Sequence, residues 1–231
     1  MISETSLCNL INMKIIGFNG SPRKGWNTYR LVESALRGAE SKGAETELIN
    51  LYDLKFSGCI SCFSCKTKGS QSYGRCAIQD ELTPILARIF DSVGGVVFGS
   101  PIYLGTVSAG AKAFLERLIF PYLAYKPPPR SLFPRQIPTL AIYTMNARDE
   151  ERMKEMRFDA QIVVNERLLK MIFGHTKTLC SFDTYQFEDY SKVVSDMFDV
   201  GHKMKVREEK FPLDLQRAYD LGAEMASFAA G

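Results

Sequence analysis

Residues 13–36 read MKIIGFNGSPRKGWNTYRLVESAL, and this stretch decides the fold. Lys14–Phe18 is a short apolar run, the length of a strand buried on both faces. Gly20, Ser21, Pro22 and Gly25 stop it and turn the chain. From Asn27 onward Leu31, Val32, Ala35, Leu36 and Ala39 recur at helical spacing, with Asn27 or Thr28 placed to cap the first turn. Strand, polar loop and helix N-terminus together turn backbone N–H groups and a positive helix end toward whatever the loop encloses.

That geometry suits a phosphate monoester. Ser21, Asn27 and Thr28 offer hydrogen bonds, and Arg23 and Lys24 add positive charge. A Walker loop is excluded, because Trp26-Asn27 stands where Lys-Ser/Thr is required. The dinucleotide pattern G-x-G-x-x-G is also missing, since Phe18 and Asn19 separate Gly17 from Gly20.

The rest of the chain narrows the class. The 231 residues are 45% hydrophobic and 24% charged, as in a soluble globular protein, and suffice for one sizeable domain. A net charge of +3 without a basic aromatic stripe gives no case for nucleic acid. No apolar run reaches membrane-spanning length. Residues 1–12 lack the features of a signal peptide and read as an N-terminal extension of a cytoplasmic protein. Six cysteines in such a setting point to reduced thiols or metal ligands.

Strands are expected at Thr46–Leu51, Gly94–Ser100, Thr139–Thr144 and Thr176–Phe182. Helices alternate with them from Thr83-Pro84 to Ser92, from Ala109 to Phe120, and from the Arg148–Arg157 stretch to Phe173. Two more, about Tyr190–Glu209 and Leu213–Ala229, follow. Residues 121–138 hold six of the ten prolines and read as a long irregular loop, the usual sign of a lid or an interface. The pattern predicts one domain over 13–231: a flavodoxin-like α/β three-layer sandwich on a five-stranded parallel sheet of order 2-1-3-4-5. On such a sheet, ligands bind outside the carboxyl ends of the strands at the switch between strands 1 and 3. The loops 20–28 and 100–108 follow those two strands.

Three stretches carry a resemblance: Gly20-Ser-Pro-Arg-Lys-x-x-Asn-Thr28, the Cys59/Cys62/Cys65 segment, and Gly99-Ser-Pro-Ile-Tyr-Leu-Gly-Thr-Val-Ser-Ala109. Together they resemble the NADPH-dependent FMN reductase family, and within it the archaeal and bacterial iron–sulfur flavoproteins. The resemblance is strong over residues 13–120. It implies FMN, with Ser21, Arg23, Asn27 and Thr28, joined by Lys24, on the phosphate. It implies that Ser100, Pro101, Ile102, Tyr103, Leu104 and Gly105 run along the isoalloxazine ring. Thr144 and Asn146 would close its other side. NAD(P)H is the implied donor, with a small molecule or a redox protein as acceptor, in a homodimer or homotetramer. In such a protein the flavin carries the chemistry, and no side-chain acid or base is assigned. His175 and His202 lie outside the candidate loops. The competing reading is a flavodoxin-like electron carrier without a substrate of its own, although carriers of that class are acidic.

Cys59, Cys62 and Cys65, at C-x2-C-x2-C spacing, can place three thiolates around one [4Fe–4S] cubane, with Cys76 available as the fourth. The ten residues before Cys76 exceed the compact gap of the resembled flavoproteins. Four thiolates equally suit structural zinc, and reduced thiols without a metal also fit this kind of reductase. Cys8 and Cys180 stand apart from the group.

Overall fold

A computed structural model describes residues 13–128, 130–194 and 196–228. The expected N-terminal extension and Cys8 lie outside these. The main strands are β1 (Lys14–Asn19), β2 (Glu45–Asn50), β3 (Gly95–Tyr103), β7 (Ile137–Thr144) and β8 (Gly174–Ser181). They form one parallel sheet of order β2-β1-β3-β7-β8. This numbering differs from the expected one because three two-residue strands intervene: β4 (Thr106–Val107), β5 (Leu123–Ala124) and β6 (Arg130–Ser131).

Alternation along the strands divides the core. Ile16, Phe18, Val96, Phe98 and Ala141 face one side, where α2 (Thr83–Asp91), α3 (Ala109–Ile119) and α5 (Phe158–Phe173) bury Ile85, Phe114 and Leu169. Ile15, Val97, Leu140, Ile142 and Leu179 face the other, covered by α1 (Asn27–Glu40) and α7 (Phe211–Phe228). The remaining helices are α4 (Glu150–Glu155) and α6 (Val200–Lys205). No described helix is long and apolar enough to cross a membrane.

Three expected boundaries are corrected. Residues 101–103 belong to β3, because β4 returns antiparallel to it, with Ile102 opposite Val107. The turn is Leu104-Gly105, with φ of 50° and 82°, as a two-residue hairpin turn of this hand requires. The proline-rich segment is not wholly irregular: its strands β5 and β6 pair, with Pro127 and Pro128 in the loop between them. Lastly, the described residues of 190–199 are not helical beyond a single 3-10 turn, Tyr190–Lys192. The helix starts at Val200 because Asp199 caps it, its carboxylate accepting from His202 N at 2.9 Å. From α6 the helix continues through a π-helical turn (Val206–Lys210) into α7. Pro212, which has no N–H to donate, follows this wider turn.

Helices α1 and α7 cross at near backbone contact. A Cβ built on Gly222 would overlap the Ala35 carbonyl oxygen, and one on Gly38 would overlap that of Tyr219. Ser34 Oγ donates to Leu215 O at 2.8 Å across the same seam. Gly222→Ala is expected to lower unfolding free energy by about 3 kcal/mol, the upper end for overpacking a rigid contact. Urea unfolding of the two proteins checks this. A change within about 0.5 kcal/mol, the range of ordinary surface substitutions, would show that the helices can part without loss.

Candidate functional site

Asn19, fully buried at the end of β1, shapes the first loop. Its Oδ1 accepts from Ser21 N (3.1 Å), while its Nδ2 donates to Ser21 O (3.1 Å) and Asn50 Oδ1 (3.0 Å). Gly20 permits the closest approach: its N–H donates to Gly99 O at 2.7 Å, and a Cβ there would crowd that oxygen and Ala111. Ser108 Oγ donates to Gly20 O at 2.5 Å and caps α3 through Ala111 N. The β1 loop is thus clamped to the end of β3.

Helix α1 begins after Trp26, which provides no side-chain cap, so its first N–H groups have no capping partner. The sequence suggested Asn27 or Thr28 as the cap of this turn, but the N-cap position falls on Trp26 and neither residue caps it. They are buried and reach across the site instead. Thr28 Oγ1 shares a hydrogen bond with Thr144 Oγ1 (2.8 Å), and Asn27 Nδ2 donates to Tyr185 O (2.7 Å). Arg23 stacks on the Trp26 ring, 3.2 Å from its centroid, and donates to Gln186 O at 2.5 Å.

These groups surround a cavity of about 210 Å³ at the carboxyl edge of the sheet. Of the expected residues, Ser21, Arg23, Asn27, Thr28, Pro101, Ile102, Tyr103, Thr144 and Asn146 line it. Burial pushes the Tyr103 phenol above its usual pKa. The structure places the other four elsewhere. Lys24 pairs with Asp53 at 2.7 Å, and Ser100 is buried beneath the floor with its hydroxyl on Pro101 O. Leu104 points fully into solvent at the hairpin tip, and Gly105 packs near Phe158. Residues that the sequence reading missed complete the wall: Trp26, Met145 and the strap Thr184-Tyr185-Gln186-Phe187 after β8.

The second site is the cysteine loop. Cys59, Cys62, Cys65 and Cys76 line one small cavity together with Glu116, Arg117 and Phe120. Cys59 and Cys62 are exposed, Cys65 is buried and Cys76 lies between. Among the described residues no three metal-ligating side chains are gathered closely enough to hold an ion. Two non-glycine residues of the loop, Ser61 and Phe63, have φ of 55°. Left-handed residues bend the chain sharply at these two positions, which turns the cysteine-bearing segment back on itself. Hydrogen bonds from Ser64 hold the Cys62 thiol below its ordinary pKa, and burial pushes that of Cys65 up. Lys66 fastens the loop to the proline-rich segment, donating to the carbonyls of Phe120 (2.5 Å), Pro121 (2.9 Å) and Leu123 (2.6 Å). Arg117, 1% exposed, bridges both ends of the loop through Ser57 O (3.0 Å) and Asp80 (2.7 and 3.2 Å), leaving its Nε without a partner. Burial opposes ionisation of Asp80, but the Arg117 hydrogen bonds and charge outweigh it and keep the carboxyl below its usual range.

The sequence profile of the NADPH-dependent FMN reductase family matches residues 13–134, which include both loops. The chain belongs to this family. An iron–sulfur flavoprotein of Methanocaldococcus jannaschii is 41% identical over 105 residues, covering 46% of this chain and 51% of that protein. One from Archaeoglobus fulgidus is 33% identical over 110 residues, 48% and 47% of the two chains. The chain thus matches about half the length of these relatives. Among solved structures, NAD(P)H:quinone oxidoreductase from Methanothermobacter marburgensis superposes with a TM-score of 0.64 over 92% of this chain and 98% of that one. At 14% identity this shows a shared flavodoxin-like fold and nothing more. The strap and α7 lie outside the family match.

The cavity fits FMN on its own terms. An uncapped helix N-terminus, a hydroxyl-rich loop and one arginine suit a single phosphate. The extended backbone of 101–103 and the 144–146 loop provide flat walls for a ring. The cysteine loop offers the donor chemistry of a cluster: four thiols around one small cavity, with the buried Arg117 beside them.

Proposed function

We propose that the protein is an FMN-dependent oxidoreductase that takes electrons from NAD(P)H or a redox partner and passes them to an acceptor. The observation that supports this most is the joining of an uncapped α1 N-terminus to the ends of β3 and β7 around one cavity. Bound there, FMN would supply two-electron exchange with a nicotinamide and single-electron exchange with a metal centre or protein. The chain's residues do the holding. Ser21, Arg23, Asn27 and Thr28 bind the phosphate, Pro101–Tyr103 hold one side of the ring, and Thr144 and Asn146 hold the other. Lys24, Ser100, Leu104 and Gly105 shape the two loops from outside the cavity.

Cys59, Cys62, Cys65 and Cys76 would hold a [4Fe–4S] cluster, a reading supported by the one cavity that all four line and by the names of the relatives. We place the protein in a reducing cytoplasm, in keeping with five unpaired cysteines among the described residues. We also read it as a homodimer or homotetramer. Leu104, Tyr103, Ile60, Phe63 and Tyr125 expose apolar surface beside the two sites, where a second subunit would cover it.

The test is anaerobic purification followed by cofactor release. About one FMN per chain is expected, with NAD(P)H oxidation that disappears when the flavin is removed. An adenine dinucleotide in the extract, or no flavin uptake by the apoprotein, would sink the proposal.

A further inference from the structure

Behind the flavin-site wall lies a buried charge cluster from the part of the chain outside the family match. Lys203 on α6 is 1% exposed. Its ammonium donates to Asp183 Oδ1 at 2.5 Å and Asn146 Oδ1 at 2.6 Å, with Thr184 O at 3.5 Å. His202 Nδ1 lies 2.6 Å from the other Asp183 oxygen. Asp183 sits at φ 47°, a strained setting held by its N–H on Ala147 O (2.8 Å), while Thr184 N donates to Met145 O (3.1 Å). Two neighbours of this one ammonium, Asn146 and Thr184, line the flavin cavity.

The chemistry of the pair sets an orientation. An ammonium only donates, so the Asn146 atom facing it must be the carbonyl oxygen. The amide NH₂ then points the other way, and it has no acceptor among the described residues. An amide donor pair on that wall suits the carbonyl and ring-nitrogen acceptors of a flavin. The same lysine anchors the start of the strap, whose carbonyls at 185 and 186 take hydrogen bonds from Asn27 and Arg23.

We propose that Lys203 is a positioning residue for the flavin: through Asn146 it presents the amide donors, and through Asp183 it holds the strap against the phosphate loop. The proposal rests on the FMN reading of the cavity. It gives the C-terminal helical region a role in cofactor affinity that the 13–134 match does not contain.

The experiment titrates apoprotein with FMN, following quenching of flavin fluorescence and the shape of the bound flavin's visible bands. Lys203→Met is expected to weaken FMN binding at least about tenfold and to alter the bands, as loss of an aligned hydrogen bond would. Asn146→Ala should do the same, and adding Lys203→Met to it should weaken binding by less than the product of the two single effects, because the amide route is already lost and only the strap route remains to be broken. Removing the lysine alone leaves the buried Asp183 carboxylate without its ammonium and with only His202 beside it, so Lys203→Met with Asp183→Asn is measured as well. Affinity within twofold of wild type and unchanged bands in that paired variant would overturn the proposal, as would full additivity with Asn146→Ala. Failure of both lysine variants to fold would replace the positioning role by a structural one. Wild-type apoprotein that takes up no FMN would remove the flavin reading itself, and this proposal with it.

Discussion

Cys65→Ser is expected to leave the protein without iron. After anaerobic reconstitution, wild type should hold about four irons and four sulfides per chain, and the variant less than about one. Cys65 is the member for which substitution should weigh most. It is the buried thiol of the four and follows the left-handed pair Ser61 and Phe63. Gly74 N–H donates to its carbonyl at 3.0 Å, which draws the Cys76 end of the loop toward it. Serine keeps that backbone bond and removes only the soft ligand, so the measurement separates ligation from folding. Zinc in place of iron in the wild type would convert the site to a structural one. No metal in the wild type would leave a plain FMN reductase.

Arg23→Ala combined with Thr28→Ala should weaken FMN retention on the order of 100- to 1000-fold. A charge-assisted hydrogen bond to phosphate contributes about 1.5–3 kcal/mol and a hydroxyl about 1 kcal/mol, and each 1.4 kcal/mol is tenfold. Arg23 is already ordered for this task by stacking on Trp26 and by its bond to Gln186 O. Little side-chain freedom is left to lose on binding. Equilibrium dialysis of FMN against the double variant checks the figure. Retention equal to wild type would mean that the phosphate lies elsewhere.

Where residues near in sequence make the site, the sequence was readable. The 20–28 loop and the 101–103 edge are contiguous polar and apolar patterns, one following the apolar run of β1 and the other ending that of β3, and the structure brings both to one cavity. Lys24 turns away from the cavity to pair with Asp53, because charge in a phosphate loop says nothing about direction. Leu104 looked like a ring contact because it follows a buried strand, but the hairpin turn throws it outward. The strap 184–187 left no motif, since it acts through backbone carbonyls that any residue supplies. Lys203 was equally silent. A lysine in a helix of charged residues reads as solvated surface until Asp183 and Asn146 are brought to it from 20 and 57 positions away.

The way the C-terminal region closes the site also orders events during synthesis. A nascent chain that has emerged as far as the loop after β7 has the phosphate loop, the β3 edge and Asn146. It has neither the strap nor Lys203, nor the α7 face that covers α1. At roughly 5–20 residues per second, the ribosome needs about 10–35 seconds to pass from Thr28 to Lys203. During that interval the loop that meets the cofactor first has no lid. If the strap and Lys203 hold the flavin as proposed, tight retention would mark a chain translated at least through α6, and a product broken off earlier would carry the family's signature motifs without the means to keep the cofactor.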